Sequence, residues 1–560
     1  MYDYVVIGGG SAGCVLAARL SEDPQMRVAL LEAGGPDRSP LIHCPAGLAL
    51  MARTKGLNWG FQTVPQPGLN GRCGFQPRGK VLGGSSSINA MIYMRGQRQD
   101  YDGWAAEGNP GWRFDELLPW FQRAEANLHG ADALHGADGP LSVQDLRCPN
   151  PLAERFIEAG QQAGLPLNTD FNGPSQDGVG WYQVTQRNGE RCSAAKAYLT
   201  PALGRSNLDL ITGAQVTRIL LDGRRASGVE YLRDGSRHTL QVRAEVLLSA
   251  GALQSPQILM ASGIGPGAQL QRHGIAVLHD LPGVGQHLHD HVDVVQVVDT
   301  PGSTDSFGLS LPAAWRTLGD IREWRQQRTG RLTTNFAEAG GFLRSRPGEA
   351  VPDIQLHFVI GKLVDHGRKT VFGHGYSCHV CLLHPKSRGS VTLASADPLA
   401  APLIDPGFLT EPDDLARLLA GFKRMRQVLA QPALAALGGR ELAASAAAQT
   451  DAQLTQFIRN HADTIYHPVG SCRMGNGPLD VVDAQLRVHG VQGLRVVDAS
   501  IMPRIVGGNT NAPTIMIGEK AAALIRSARL GARPAALSNP VLTAGQPDAA
   551  TKPAAADAAF

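Results

Sequence analysis

Tyr2-Asp3-Tyr4-Val5-Val6-Ile7-Gly8-Gly9-Gly10-Ser11-Ala12-Gly13 opens the chain, followed by Val15-Leu16-Ala17-Ala18-Arg19-Leu20 and then Val28-Ala29-Leu30-Leu31-Glu32. The branched run Val5-Val6-Ile7 predicts a buried strand, the apolar stretch after the glycines a helix, and the second apolar run another strand. This is one βαβ unit with its glycines at the strand-to-helix turn. Gly8, Gly10 and Gly13 have the spacing G-x-G-x-x-G. In that pattern the first glycine permits the tight turn, the second lets backbone approach a pyrophosphate, and the third lets helix and strand pack closely. The helix start at Ser11 and Ala12 offers free N–H groups to phosphate oxygens. Glu32 ends the second strand 19 residues after Gly13, near the spacing of about 20 expected for a carboxylate on ribose hydroxyls. An accidental glycine turn would not bring both strands and the acid with it. The unit reads as dinucleotide-binding, without separating FAD from NAD.

The chain has 560 residues, more than one hydrophobic core usually supports, so two domains or one large intertwined unit are expected. A net charge of +3 with 18% charged residues gives no basis for nucleic-acid binding. The partner expected is a small molecule. Eight cysteines, at 14, 44, 73, 148, 192, 378, 381 and 472, are too sparse for a disulfide scaffold and suit a reducing compartment. The first strand begins at once, with no charged and apolar leader ahead of it. The most apolar later stretch, Val246 to Gly265, is interrupted by Gln254, Pro256 and Gln257, so the reading is a soluble or at most peripheral protein.

Two later runs have buried-strand character, Val246-Leu247-Leu248-Ser249-Ala250 and Leu494-Arg495-Val496-Val497-Asp498, and are expected to extend the first parallel sheet. Between them, Ile354, Leu356 and Phe358 alternate with polar neighbours, as do Val391 and Leu393, which predicts an antiparallel sheet. Thr410-Glu411-Pro412-Asp413 has the form of a capping box, and Leu415, Leu418, Leu419, Phe422, Met425 and Leu429 after it predict an amphipathic helix. Residues 531–560 are rich in Ala and Pro and read as a disordered tail.

Three further segments lie far apart in the chain. They are Pro77-Arg78-Gly79-Lys80-Val81-Leu82-Gly83-Gly84-Ser85-Ser86-Ser87-Ile88-Asn89-Ala90-Met91-Ile92-Tyr93; Gly251 through Gly265; and Tyr466-His467-Pro468-Val469-Gly470-Ser471-Cys472-Arg473-Met474-Gly475, followed by Val497 to Ser500 and Gly508 to Thr514. With the opening unit they resemble the glucose-methanol-choline oxidoreductases, and within that family the bacterial medium-chain alcohol dehydrogenases and choline dehydrogenase. The resemblance implies FAD. It places Val81, Gly83, Gly84, Ser85, Asn89, Ala90, Met91 and Ile92 along the flavin and pyrophosphate, beside Gly8, Gly10, Ser11, Ala12, Gly13, Glu32 and Ala33. It adds Val216 at the adenine and Asp498, Ala499, Asn509, Pro513 and Thr514 at the cofactor. Some relatives attach FAD through a histidine where this chain has Ile88, so the flavin is expected to be non-covalent.

The fold class implied is α/β with an α+β substrate part. A Rossmann-like FAD-binding domain, discontinuous in sequence (1–160, 195–305 and 480–530), carries a substrate domain with an antiparallel sheet (161–194 and 306–479). The activity implied is oxidation of a primary alcohol to an aldehyde, with electrons passed to a quinone or similar acceptor. Choline dehydrogenase, alcohol oxidase and, in another class, an FAD-containing hydroxynitrile lyase are the alternatives. The location implied is cytoplasmic, with room for a peripheral seat on the inner membrane.

An alcohol releases hydride only as its O–H proton leaves, so a base with a pKa near working pH is needed, and histidine suits. The resemblance assigns His467 as base and Asn511 as donor to the developing alkoxide. Tyr466 either shapes the substrate pocket or fills core. His287, His289 and His291 alternate as metal ligands on a strand would, and Cys378-His379-Val380-Cys381 has C-x-x-C spacing. The first belongs to a structural family segment and the second to a strand, so no metal is expected.

Overall fold

The structure, a computed structural model, describes residues 1–51, 54, 56–365 and 368–531. The tail expected from 531 on therefore lies, after Gly531, outside the described residues. The opening sequence forms β1 (Tyr2–Ile7), α1 (Ser11–Leu20) and β2 (Val28–Glu32), with β1 and β2 paired in parallel. Two close approaches explain the glycines between them. Gly8 has φ +98°, in the region that costs an L side chain most. A Cβ on Gly13 would stand 1.9 Å from the Gly8 carbonyl oxygen.

The first sheet runs in the order Leu208–Thr212, β2, β1, Ser236–Leu248, Arg225–Arg233, Gln215–Asp222, and Leu494–Val496 pairs with Ser236–Leu248. Both late runs join in parallel as expected: Val246 to Leu248 lie between β1 and Leu494–Val496. The 13-residue strand Ser236–Leu248 serves two partners, because its first half pairs antiparallel with Arg225–Arg233. The closing helix Asn511–Arg529 packs along α1, and Gly518 makes room for Val15.

The second sheet is antiparallel, in the order Arg440–Glu441, Val292–Asp299, Gly375–Leu382, Ile354–Val359, Ala339–Leu343, Gly178–Trp181. One face, carrying Ile354, Leu356 and Phe358, forms a core with helices Pro151–Gln162 and Pro412–Leu429. Phe156 stacks on Phe358 with ring centroids 4.6 Å apart; burying each such ring contributes about 1.5–3 kcal/mol. The alternation in this strand predicts one apolar and one polar face, yet every residue of it is buried. Gln355 and His357 turn not to water but inward, to the site described below.

Several expectations need correction. Helix Pro151–Gln162 and strand Val292–Asp299 belong to the second core and sheet, although the boundaries at 160 and 305 assigned them to the nucleotide part. Val469, Cys472 and Met474, assigned to the substrate part, lie in the first core. Val391 pairs with Ile404 in a separate two-stranded ladder. The capping box does not form: Glu411 takes the N-cap position without a side-chain bond, while the Thr410 hydroxyl donates to the Gly407 carbonyl. Cys378 and Cys381, three apart on one strand, fall on opposite faces and both are free thiols. Among the described residues no helix is long and apolar enough to cross a membrane, and no three His, Cys, Asp or Glu side chains converge as metal ligands.

Candidate active site

The two sheets enclose one cavity of about 900 Å³, at the upper end of the range of about 300–1,000 Å³ for small-molecule sites. At one end stand Gly8, Gly10, Ser11, Ala12, Glu32, Ala33 and Val216; Gly84, Ser85, Asn89, Ala90, Met91 and Ile92 line its length; Asp498, Ala499, Asn509, Asn511 and Thr514 close it from behind; and Tyr466 and His467 face it from the second sheet. Four expected cofactor contacts stand behind this wall instead. Gly13 and Pro513 pack inside their helices, Val81 is fully buried against Gly35, and the Gly83 amide donates to the Gly9 carbonyl at 2.7 Å. In such a loop, residues that touch a ligand alternate with residues that hold the loop to the sheet.

The nucleotide end fits an extended anionic group. A Cβ on Gly10 would meet nothing within 4 Å, so the backbone there faces open cavity. α1 and the closing helix both begin at the cavity wall without a side-chain cap, which leaves their first N–H groups free for phosphate oxygens. The Ser11 hydroxyl donates to Asn511 Oδ1 at 2.8 Å and ties the two helix starts together. Glu32 accepts the amides of Gly9 at 2.9 Å and Gly34 at 2.7 Å. Burial raises its carboxyl to about 7, against those two amides. Asp498 likewise accepts from Gly251 N–H at 2.9 Å and Ser500 N–H at 2.8 Å.

The reactive end is organised by Asp290, which accepts from His467 N–H at 2.8 Å, the Thr464 hydroxyl at 2.5 Å and Gln76 Nε2 at 3.0 Å. Tyr466 is held at φ +76°, a conformation costing about 1–3 kcal/mol in a bulky residue. Its N–H donates to Thr464 Oγ1 at 2.7 Å, and its carbonyl accepts from Arg78 Nη2 at 2.6 Å. The strain is thus held by a buried network, and what it secures is the placement of His467.

The tautomer of His467 follows from its neighbours. His291 Nε2 lies 2.9 Å from the Leu383 carbonyl, an acceptor that requires the proton on Nε2. Burial pushes His291 down to about 3, so it is neutral and its Nδ1 is a lone pair. His467 Nδ1 lies 3.0 Å from that lone pair and must carry the N–H between them. His467 is itself held well below the usual histidine value by burial, with His291, His357 and Arg78 adding to it. Its Nε2 is therefore unprotonated, and it faces Asn509 Nδ2 at 3.4 Å. Gln355 Nε2 donates to Asn509 Oδ1 at 3.2 Å, which turns the amide NH₂ toward the histidine.

The side chain that meets His467 Nε2 is that of Asn509, while Asn511, the expected donor, lines the same cavity and accepts from Ser11. Asn511 is the first residue of the closing helix and turns its side chain to Ser11, whereas Asn509 is still in the loop. His291, which the alternation grouped with His287 and His289, instead supports His467. His289 points away, its Nε2 accepting from Ile505 N–H at 3.0 Å. The sequence sign that marked this side of the site was the pair of polar residues, Gln355 and His357, inside an otherwise apolar strand.

Burial lowers His289, His291, His357 and His467 together, His291 and His357 to about 3. Unfolded, they take protons near 6.5, so their contribution is complete above that pH and is lost as pH falls toward 3. Glu32, Asp290 and Glu338, raised by burial to about 7, 6 and 7, act with opposite sign above their unfolded values. Melting temperature is expected to be nearly level between about pH 7 and 5 and to drop steeply below about pH 4.5, where the histidine effect is joined by the loss of carboxylates held low by their partners, among them Glu22, Glu190 and Asp413. A scan of the holoenzyme by calorimetry that stays flat to pH 3.5 would contradict this.

Fold and cavity define a dinucleotide-dependent enzyme, and the chain belongs to the GMC oxidoreductase family: residues 2–293 match its N-terminal model and 385–518 its C-terminal model. It is 48% identical to an alcohol dehydrogenase [acceptor] of Pseudomonas putida, over 94% of this chain and 96% of the relative. It is 45% identical to the mitochondrial choline dehydrogenase of Mus musculus, over 94% and 89%. An FAD-dependent oxidoreductase from Chaetomium thermophilum superposes with a TM-score of 0.87 at 28% identity, covering 95% of this chain and all of that one. The family expected from the signature segments is thus the family found, and FAD is its cofactor.

Proposed function

We propose that this chain oxidises uncharged primary alcohols to aldehydes with FAD and passes the electrons to a quinone-like acceptor. The observation that carries the reading is the unprotonated His467 Nε2 facing Asn509 Nδ2 at the end of a dinucleotide-sized cavity. Gly8 to Ala12 and the start of the closing helix would hold the pyrophosphate, Glu32 a ribose, and Gly84 to Ile92 the flavin. Bound FAD supplies the two-electron acceptor. His467 Nε2 takes the hydroxyl proton, and Asn509 Nδ2 donates to the oxygen as negative charge grows on it. Asp290, Thr464 and Arg78 are positioning residues acting through the Tyr466–His467 backbone.

The substrate class follows from what lines the reactive end. Phe307, Leu332, Phe336, Val359, Leu363 and Ile465 are apolar. Among the described residues the carboxylates on the cavity wall are Glu32 and Asp498, both occupied by backbone amides. A quaternary ammonium would therefore enter without a carboxylate partner and would depend on the aromatic faces of Phe307 and Phe336, whereas an alkyl chain meets apolar walls throughout. This supports an aliphatic alcohol over choline as the substrate class, despite the similarity to choline dehydrogenases. Anaerobic mixing of the holoenzyme with either compound tests it: an aliphatic primary alcohol is expected to bleach the flavin at a kcat/KM about 100-fold or more above that for choline. Preference for choline would overturn the substrate class, and a flavin left oxidised by every alcohol would point to a lyase.

Ile88 lines the cavity where some relatives attach the flavin. FAD is accordingly held without a covalent bond, and acid precipitation is expected to leave a colourless pellet with all FAD in the supernatant. A yellow pellet would contradict this.

A further inference from the structure

The mouth of the cavity is rimmed by apolar side chains that face outward. Leu309, Leu311, Trp315, Leu318, Ile321 and Phe372 are all exposed, Leu311, Trp315 and Phe372 to 82%, 76% and 78%. Leu309 pairs through its backbone with Gly373, and Ser310 bonds His374 Nε2 at 3.0 Å, so Phe372 and the helix Leu311–Gln327 form one rim. Across the entrance, exposed Leu50 lines the same cavity as Leu309 and Ile321.

The helix has two distinct faces. Its inner face is anchored by Trp324, whose Nε1 donates to the Gly189 carbonyl at 2.9 Å, and by Asp320, paired with Arg331 at 3.3 Å. Its outer face carries Leu311, Trp315 and Leu318 at i, i+4 and i+7, a stripe that continues into exposed Arg322 and Arg325. Neither arginine joins an ion pair among the described residues. A contiguous apolar patch of this kind is uncommon on a soluble surface without a partner. With Asp320 and Glu323 in its sequence the helix is suited to lie in a membrane interface rather than to span it.

We propose that this rim is the surface by which the protein seats on an anionic phospholipid bilayer. Leu311, Trp315, Leu318 and Phe372 enter the boundary of the acyl region, and Arg322 and Arg325 meet anionic headgroups. The charge favours a bilayer over a second copy, because self-association would bring the unpaired arginines of both copies to one apolar contact. Seated this way, the cavity opens toward lipid, so an apolar alcohol and an acceptor enter from the phase in which they are concentrated. That use of the surface rests on the function proposed above; the seating itself does not.

Flotation of the holoenzyme with phosphatidylcholine vesicles, with and without phosphatidylglycerol, tests the seating. The wild type is expected to float with phosphatidylglycerol present and to be released by salt. The double variant Arg322→Ala/Arg325→Ala is expected to bind roughly 25-fold more weakly, about fivefold per lost charge, and Trp315→Ser/Leu318→Ser more than about tenfold more weakly. Both variants should oxidise a short water-soluble alcohol with a soluble dye acceptor as the wild type does, since none of the four side chains lines the cavity. Wild type that stays in solution with anionic vesicles, a Trp315→Ser/Leu318→Ser variant that floats equally well, or a dimer dispersed by Trp315→Asp would each overturn the inference. A protein that floats yet oxidises no apolar alcohol would leave the surface standing and remove the function.

Discussion

Replacing His467 by alanine is expected to slow anaerobic flavin reduction about 10²–10⁴-fold, the range for loss of a positioned base. FAD should stay bound, because His467 belongs neither to the glycine turn nor to the helix starts that would hold the pyrophosphate. The variant should also change its pH dependence. In the wild type burial keeps Nε2 free of a proton through the neutral range, so any acid limb of kcat/KM lies below pH 6.5. Without the base, only alkoxide already present in solution can react, so the rate should climb about tenfold per pH unit across the neutral range. Stopped-flow absorbance against pH checks both parts. An unchanged rate, or an unchanged profile, would show that another group takes the proton.

Asn509→Ala is expected to lower the reduction rate about 10²–10³-fold, the effect of removing one donor from a developing oxyanion. The loss should fall on kcat more than on KM, because the bond strengthens as charge grows. Asn511→Ala offers the contrast. Its side chain accepts from Ser11 and joins two helix starts, so its removal should weaken FAD retention while holoenzyme that keeps its flavin still turns over. Measuring reduction rate and FAD affinity for both variants separates the roles. If Asn511→Ala alone lost the rate with FAD in place, the pairing drawn from the structure would be wrong.

That pair of asparagines also marks where the sequence stopped being readable. The βαβ unit was legible because each feature of it is local: branched residues for the strands, glycines for the turn, an acid at the end of β2. The second sheet was legible from the period of two at Ile354, Leu356 and Phe358. Asn509 and Asn511 are two apart in a glycine-containing stretch of sequence, and which of them faces His467 depends on where the closing helix begins. It begins at Asn511, which rotates that side chain to α1 and leaves Asn509 at the site. His291 is unmarked in the sequence for a related reason. Its contact with His467 joins residues 176 apart in sequence, and nothing in the run of histidines from 287 to 291 distinguishes the one that turns inward. The division between the two bodies was misplaced at 160 and 305 because a helix and a strand beside a boundary carry no mark of the sheet they join.

In the proposed reaction one substrate oxygen is addressed by both His467 Nε2 and Asn509 Nδ2. A double-mutant cycle on the rate of flavin reduction tests that directly. If both groups act on the same oxygen, the variant lacking both is expected to be no more than about tenfold slower than His467→Ala alone, because residues that work as a unit do not contribute independently. Losses that multiply in full would place the two side chains on separate steps and contradict the account.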